Sequence, residues 1–283
     1  MINIEKLRFG YRKRALLFED LDLHLAPGTI YGLLGKNGAG KSSLLNIIQG
    51  LLFPDSGQVN VLSFQPKDRE PAFLQDCFMI SESMFLPNLT VWDFAKTYAP
   101  FYPNFDWEQY GQLVAEFDLD ADARLNRISL GQKKKALLAF GLATNARVLL
   151  LDEPTNGLDI PSKKLFRSTL ARHIREDRIF ILSTHQVRDL QSLIDTLIVL
   201  EDGRIIFQEN LVDIMERLHF GISYREPEDP GVLYYERVPG GYYTIRRAGF
   251  EDSLEADVEI LFNAIINAPQ SFRELFNTQL YVR

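Results

Sequence analysis

The segment Gly35-Lys36-Asn37-Gly38-Ala39-Gly40-Lys41-Ser42 constrains this chain more than any other, because G-x-x-x-x-G-K-S describes a loop built around phosphate. Glycines at 35, 38 and 40 let the backbone curl until several N–H groups converge on anionic oxygens. The apolar run Ile30-Tyr31-Gly32-Leu33-Leu34 precedes the loop and has the composition of a strand covered on both faces. Leu44, Leu45, Ile47, Ile48 and Leu51 follow at helical spacing, so a helix starting near Lys41 turns its positive end toward the loop. In that setting Lys41 reaches the β- and γ-phosphates of a nucleotide, and the Ser42 hydroxyl coordinates Mg²⁺. A glycine-rich turn with a chance lysine is the plain alternative, and the flanking strand and helix argue against it.

Two further segments stand downstream in a fixed order, Ile128-Ser129-Leu130-Gly131-Gln132 and then Leu149-Leu150-Leu151-Asp152-Glu153-Pro154. Ser129 can cap a helix beginning at Leu130, with Gln132 three residues on in capping-box register. A capped helix start is an anion site in its own right, or merely a well-formed helix end. Asp152 and Glu153 close an apolar strand run, so two acids emerge at the edge of a sheet. Neighbouring strand residues point to opposite sides, so a turn at Pro154 is needed to bring both to one place. Ile179–Leu182 forms another apolar run and leads through Ser183-Thr184 to His185.

The remaining pattern alternates. Residues 2 to 9 and 20 to 25 read as half-buried strands, and Pro27-Gly28 as a turn. Residues 90 to 144 read as mainly helical, and Val148–Leu151, Ile179–Leu182 and Leu197–Leu200 as strands. After residue 216 the pattern changes. Val232–Val238 and Tyr242–Arg246 flank Pro239-Gly240-Gly241 as a hairpin. Asp252 and Glu255 then form a D-x-x-E cap before an apolar helix face of Leu254, Val258, Leu261, Phe262, Ile265 and Ile266, which Pro269 ends.

Composition limits the functional classes. A net charge of −7 argues against nucleic acid as a partner, although the run Lys133-Lys134-Lys135 forms a local basic patch. The single cysteine, Cys77, permits no intrachain disulfide and fits a reducing compartment. No apolar run approaches the roughly 18 residues that span a bilayer, and the N-terminus lacks the layout of a signal peptide. The expected location is cytosolic, with any membrane role supplied by a partner.

The ordered set of segments resembles the nucleotide-binding subunit of an ATP-binding cassette (ABC) transporter over roughly residues 1 to 215. The resemblance implies an α/β P-loop NTPase ABC cassette: a β/α core, an antiparallel β part and a helical subdomain at about 90–144. A small ββα, hence α+β, appendage at 216–283 would follow. It implies ATP and Mg²⁺ as cofactors, with Gly35, Lys36, Asn37, Gly38, Ala39, Gly40, Lys41, Ser42 and Ser43 around the phosphates. Asp152 matches the position that holds Mg²⁺, Glu153 the one that polarises the attacking water, and His185 the one that contacts the γ-phosphate and that glutamate. Asp159 in Asn156-Gly157-Leu158-Asp159 matches the D-loop. Tyr11 aligns with the aromatic that stacks on adenine, or is a surface tyrosine. Ser129, Gly131 and Gln132 match the signature, which in this family faces the γ-phosphate bound by another protomer. The implied partners are therefore a second nucleotide-binding subunit, identical or closely related, and a separate transmembrane permease that holds the chain at the cytoplasmic face of the membrane.

Two departures narrow the resemblance. Leu130 replaces the first signature glycine, and Glu82 stands where relatives carry the Q-loop glutamine. Both traits resemble the ABC-2-type exporter branch. Glu82 would ligate Mg²⁺ or its water as glutamine does, with an added negative charge beside the phosphates. Phe85, Leu86, Trp92 and Phe94 fall where relatives receive a helix of the membrane subunit, or they simply pack a helical subdomain. The competing function is a soluble ABC ATPase acting on ribosomes or nucleic acid; such relatives usually carry two cassettes or a long coiled coil, and this chain shows neither.

Overall fold

The computed structural model describes residues 1–12, 15–189, 191–249 and 256–276. Alternating apolar residues near the N-terminus build an antiparallel sheet from β1 (Ile2–Gly10), β2 (Leu16–Leu25) and β4 (Ser56–Val61), in the order β2-β1-β4. Ile4 sits opposite Leu23 on one side and Val59 on the other, and all three are buried.

The central sheet takes the strands with continuous apolar runs. They are β3 (Thr29–Leu34), β5 (Cys77–Ile80), β6 (Val148–Asp152), β7 (Ile179–Thr184) and β8 (Thr196–Glu201), with β9 (Arg204–Asn210) at the edge. Their order is β5-β6-β7-β3-β8-β9, parallel except for the antiparallel pair β8–β9. A two-residue period divides each run between two cores. Leu149, Leu151, Phe180 and Leu182 enter the first, whereas Val148, Leu150, Ile179 and Ile181 enter the second.

The second core is closed by the N-terminal sheet, by α1 (Lys41–Ile48) through Leu44, Leu45, Ile47 and Ile48, and by Phe73 of the short α2 (Pro71–Gln75). The first is closed by α3 (Val91–Tyr98), α4 (Trp107–Glu116), α5 (Leu130–Ala143) and α6 (Ile160–His173). Phe140 of α5 organises the helical part, with the rings of Phe78, Phe94, Tyr102, Phe105 and Tyr110 centred 5.1–6.4 Å from its own.

The C-terminal part is larger than a ββα unit. After α7 (Leu211–Arg217) come β10 (Leu218–Ser223), β11 (Val232–Val238) and β12 (Gly241–Arg247), ordered β10-β12-β11. Two helices follow, α8 (Val258–Asn267) and α9 (Pro269–Phe276). The expected hairpin forms, and β10 adds a third strand, with Phe220 opposite Ile245. α8 stops at Asn267, just before Pro269 as expected, and Pro269 also opens α9, where its missing N–H costs no helix bond. Asp252, Leu254 and Glu255 lie outside the described residues, and the cap of α8 is Asp257, whose carboxylate accepts from Glu259 N and Ile260 N at 3.0 and 3.1 Å. A third core joins Phe220, Ile245, Leu261 and Phe272 to Leu34, Val187, Leu197 and Val199 of the β/α part.

Candidate active site

The phosphate loop runs from the end of β3 to the start of α1. Gly40 has φ 108°, and a Cβ there would lie 2.7 Å from the Phe18 ring, so only glycine lets the loop turn into the helix. No side chain caps α1, which leaves its first N–H groups facing outward at the positive end. The Lys41 ammonium is drawn in and donates to the carbonyls of Gly35 and Lys36 at 2.7 and 3.3 Å. Burial pushes its pKa down, against the pull of Glu153, Asp152 and Glu82. Lys36 reaches away from the loop to Glu201 at 2.7 Å. Ser42 is exposed, while Ser43 is buried with its hydroxyl 2.9 Å from that of Tyr11.

Asp152 and Glu153 are almost wholly buried, at 4% and 5% exposure. Asp152 accepts a hydrogen bond from the Ser183 hydroxyl of the neighbouring strand. Glu153 has φ 46° and leads into the expected turn through Pro154, in which Asn156 N donates to Glu153 O at 3.3 Å. A left-handed glutamate is sterically disfavoured by about 1–2 kcal/mol. It persists because both of its peptide groups are held: its N–H donates to Ser183 O at 3.0 Å, and its C=O accepts from Lys134 Nζ at 2.5 Å. The carboxylate collects three donors: Thr184 Oγ1 at 3.2 Å, His185 N at 3.0 Å and His185 Nδ1 at 2.6 Å. Since carboxylate oxygens only accept, Nδ1 carries a proton and Nε2 faces away from the pair.

Glu82 accepts from Asn156 Nδ2 at 3.2 Å, which ties it to the turn following Glu153. The Lys133-Lys134-Lys135 run is not a patch. Consecutive helical residues point about 100° apart, and the middle lysine is buried while its neighbours are half-exposed. Sequence reasoning missed Lys134, Ser183, Thr184 and Asn156 as contributors. A polar Ser-Thr pair ending an otherwise apolar strand was the available signal.

Tyr11, Asn37, Gly38, Gly40, Lys41, Ser42, Ser43, Glu82 and Glu153 line one cavity of about 410 Å³. Ala15, Leu16 and Leu17 form an apolar wall beside Tyr11, which is 42% exposed and meets the Phe9 ring edge-on. Gly35, Lys36 and Asn37 face a second cavity of about 210 Å³ with Thr184, His185 and Phe262. Ser129, Gly131, Gln132 and Asp159 line neither of these. The Ser129–Gln132 capping box forms as the sequence spells it, with 3.2 and 3.0 Å reciprocal bonds. Asp159 caps α6 by accepting from Ser162 N at 2.9 Å, and hydrogen bonding from the Ser162 side chain, then from that N–H, holds its carboxyl below the usual range. A Cβ on Gly131 would lie 3.1 Å from Gly157 O, so the signature rests on the loop leading to Asp159.

The donor set fits a magnesium nucleotide. Uncapped amides and a lysine suit phosphate oxygens, and a hydroxyl with a carboxylate suits Mg²⁺, which takes few protein ligands and completes its shell from phosphate and water. Among the described residues no group of three or more His, Cys, Asp or Glu could hold a metal by itself. No helix among them is long and apolar enough to cross a membrane.

Comparison with known proteins agrees with this geometry. The family model for ABC transporters matches residues 18–156. The chain is similar to the uncharacterized ABC transporter ATP-binding protein YdbJ of Bacillus subtilis (strain 168), at 31% identity over 197 residues, 67% of this chain and 63% of that protein. It is also similar to the Nod factor export ATP-binding protein I of Burkholderia thailandensis, at 30% identity over 68% of this chain and 65% of that protein. The match thus spans less than two thirds of either relative's length. In fold it resembles the dimeric post-hydrolysis ATP-binding cassette MJ0796 bound to ADP and Pi, with TM-score 0.66, 20% identity, and coverage of 74% of this chain and 98% of that one. By its motifs, its fold and these relatives, the chain belongs to the ABC transporter family as a nucleotide-binding subunit.

Proposed function

We propose that the chain hydrolyses ATP with Mg²⁺ and, through ATP-driven dimerisation, powers a separate transmembrane permease, in an export system. The observation that carries this reading is Glu153, a buried carboxylate locked by Thr184 and His185 and opening on the cavity that holds Lys41 and Ser42. A carboxylate so fixed is placed to orient a water and take its proton. Lys41 and the loop amides would hold the β- and γ-phosphates, Ser42 and Asp152 the Mg²⁺, with Glu82 beside it, and Tyr11 with Leu16 the base. Bound Mg²⁺ supplies charge neutralisation at the phosphate oxygens. His185 orients the carboxylate through Nδ1–H, so meeting a phosphate oxygen through Nε2 requires the doubly protonated ring.

Ser129, Gly131, Gln132 and Asp159 line neither cavity described above, so they would serve the site of a second copy or close relative, which completes it on closure and excludes water. Residues 1–215 carry this cassette and 216–283 an appended unit. Phe85 is 100% exposed, whereas Leu86, Trp92 and Phe94 pack partly into the helical core. Phe85 is the natural first contact for a permease, which would hold the chain on the cytoplasmic face of a membrane. The kinship with a Nod factor export protein supports the export direction. Glu153→Gln tests the reading. Turnover should fall about 100-fold or more while an ATP-bound dimer accumulates; undiminished turnover would falsify it.

A further inference from the structure

Beyond Thr184 the chain leaves β7, so His185 through Asp189 lie outside the ladder of the central sheet. The His185 side chain is 38% exposed, and packing alone does little to fix it. The 2.6 Å bond from its Nδ1 to Glu153 therefore depends on where the whole segment is held. Val187 supplies an apolar anchor, buried in the third core. Asp189 supplies a polar one.

A single oxygen of Asp189, Oδ2, accepts from the Thr155 hydroxyl at 3.2 Å and from the Lys163 ammonium at 2.6 Å. The Asp189 carbonyl accepts from Arg167 Nη1 at 3.0 Å. These donors come from two places. Thr155 is wholly buried and stands two residues past Glu153, in the turn that Glu153 leads into. Lys163 and Arg167 belong to α6, and the Lys163 N–H donates to the carbonyl of the cap residue Asp159 at 2.9 Å. One residue thus fastens the segment after His185 to the turn after Glu153 and to the helix that starts at Asp159. The His185–Glu153 and Asp189–Thr155 bonds are two rungs between the same pair of segments. Asp189 lines neither cavity, so its effect falls on the placement of other groups and not on nucleotide contact.

We propose that Asp189 is a positioning residue for ATP hydrolysis: through Thr155 and Lys163 it sets the His185 segment against the Glu153 turn, and so the aim of the Glu153 carboxylate. The inference deepens the proposed function and rests on Glu153 as the base. Misplacing a reacting group by about 1 Å can cost on the order of 100-fold in rate, so loss of the second rung is read in kcat.

The test compares Asp189→Ala, Asp189→Asn, Thr155→Val and the combined Asp189→Ala, Thr155→Val variant in the full chain, reading kcat, KM for MgATP and unfolding temperature. Measured where every variant is folded, Asp189→Ala should lower kcat about tenfold or more, with KM within about threefold of the parent. Asp189→Asn keeps an oxygen that can accept from both donors, and should recover kcat at least about threefold over the alanine variant. Thr155→Val, similar in shape and lacking the donor, should lower kcat about threefold or more. Adding it to Asp189→Ala should cost less than about twofold further, because both remove the same bond. A merely structural aspartate would lower the unfolding temperature and leave kcat in place. That result, a change in KM alone, additive effects, or an asparagine variant no faster than alanine would overturn the proposal. If Asp189→Ala does not fold, Thr155→Val decides: a lowered kcat upholds the brace, whereas a parental kcat or a second failure to fold removes it. Glu153→Gln, measured alongside, separates the two readings. Full turnover there removes the base assignment and this inference together. Lost turnover there, with Asp189→Ala at the parental kcat, removes only this inference.

Discussion

Ser183→Ala probes the acid pair from behind. The Ser183 hydroxyl is buried on β7 and donates to Asp152, a carboxylate with 4% exposure. Alanine removes the donor and leaves that carboxylate oxygen buried without it. A hydrogen bond to a charged group contributes about 1.5–3 kcal/mol, so destabilisation of about 2 kcal/mol is expected. For a chain of this size that corresponds to a fall of roughly 4–8 °C in unfolding temperature. The assay is thermal unfolding without nucleotide, together with a Mg²⁺ titration of ATP turnover. The Mg²⁺ needed for half-maximal rate should rise, because Asp152 is no longer aimed. Ser183→Cys, similar in size with a weak donor, should fall between. Unfolding temperatures agreeing within about 1 °C, with an unchanged Mg²⁺ response, would refute the reasoning.

Two further outcomes are expected. Tyr11→Ala should weaken nucleotide binding roughly tenfold, the scale of one lost base–aromatic stack, whereas Tyr11→Phe should cost little; titration with a fluorescent nucleotide distinguishes them, and equal affinity in both would leave Tyr11 a surface residue. Phe85→Asp should change stability by less than about 0.5 kcal/mol and leave basal turnover intact, while abolishing coupled transport in vesicles containing the permease; parallel loss of both activities would count against a docking role.

What could be read from the chain was what neighbours along the sequence decide. The strand–loop–helix around Lys41 and the Ser129–Gln132 capping box each depend on a few adjacent residues, and both fold as spelled. The turn at Pro154 was legible, but the left-handed backbone of Glu153 before it was not, because the contacts that hold it are distant: Ser183 and Lys134 reach Glu153 from 30 and 19 residues away. β10 escaped notice because its alternation, Leu218, Phe220, Ile222, is short and broken by Gly221. Lys134 was hidden by its two lysine neighbours. Composition sees a basic run, and only helix rotation against a packed sheet turns one of three inward.

Phe262 of α8 faces the same small cavity as His185 and Lys36, and Leu34 and Val187 are buried in the core that α8 helps to close. Trimming the chain at residue 216 to obtain a minimal cassette would therefore strip a hydrophobic lining from directly beside His185. Such a fragment would expose greasy surface where the candidate site most needs rigidity, and its kinetics would report on the wound as much as on the parent protein.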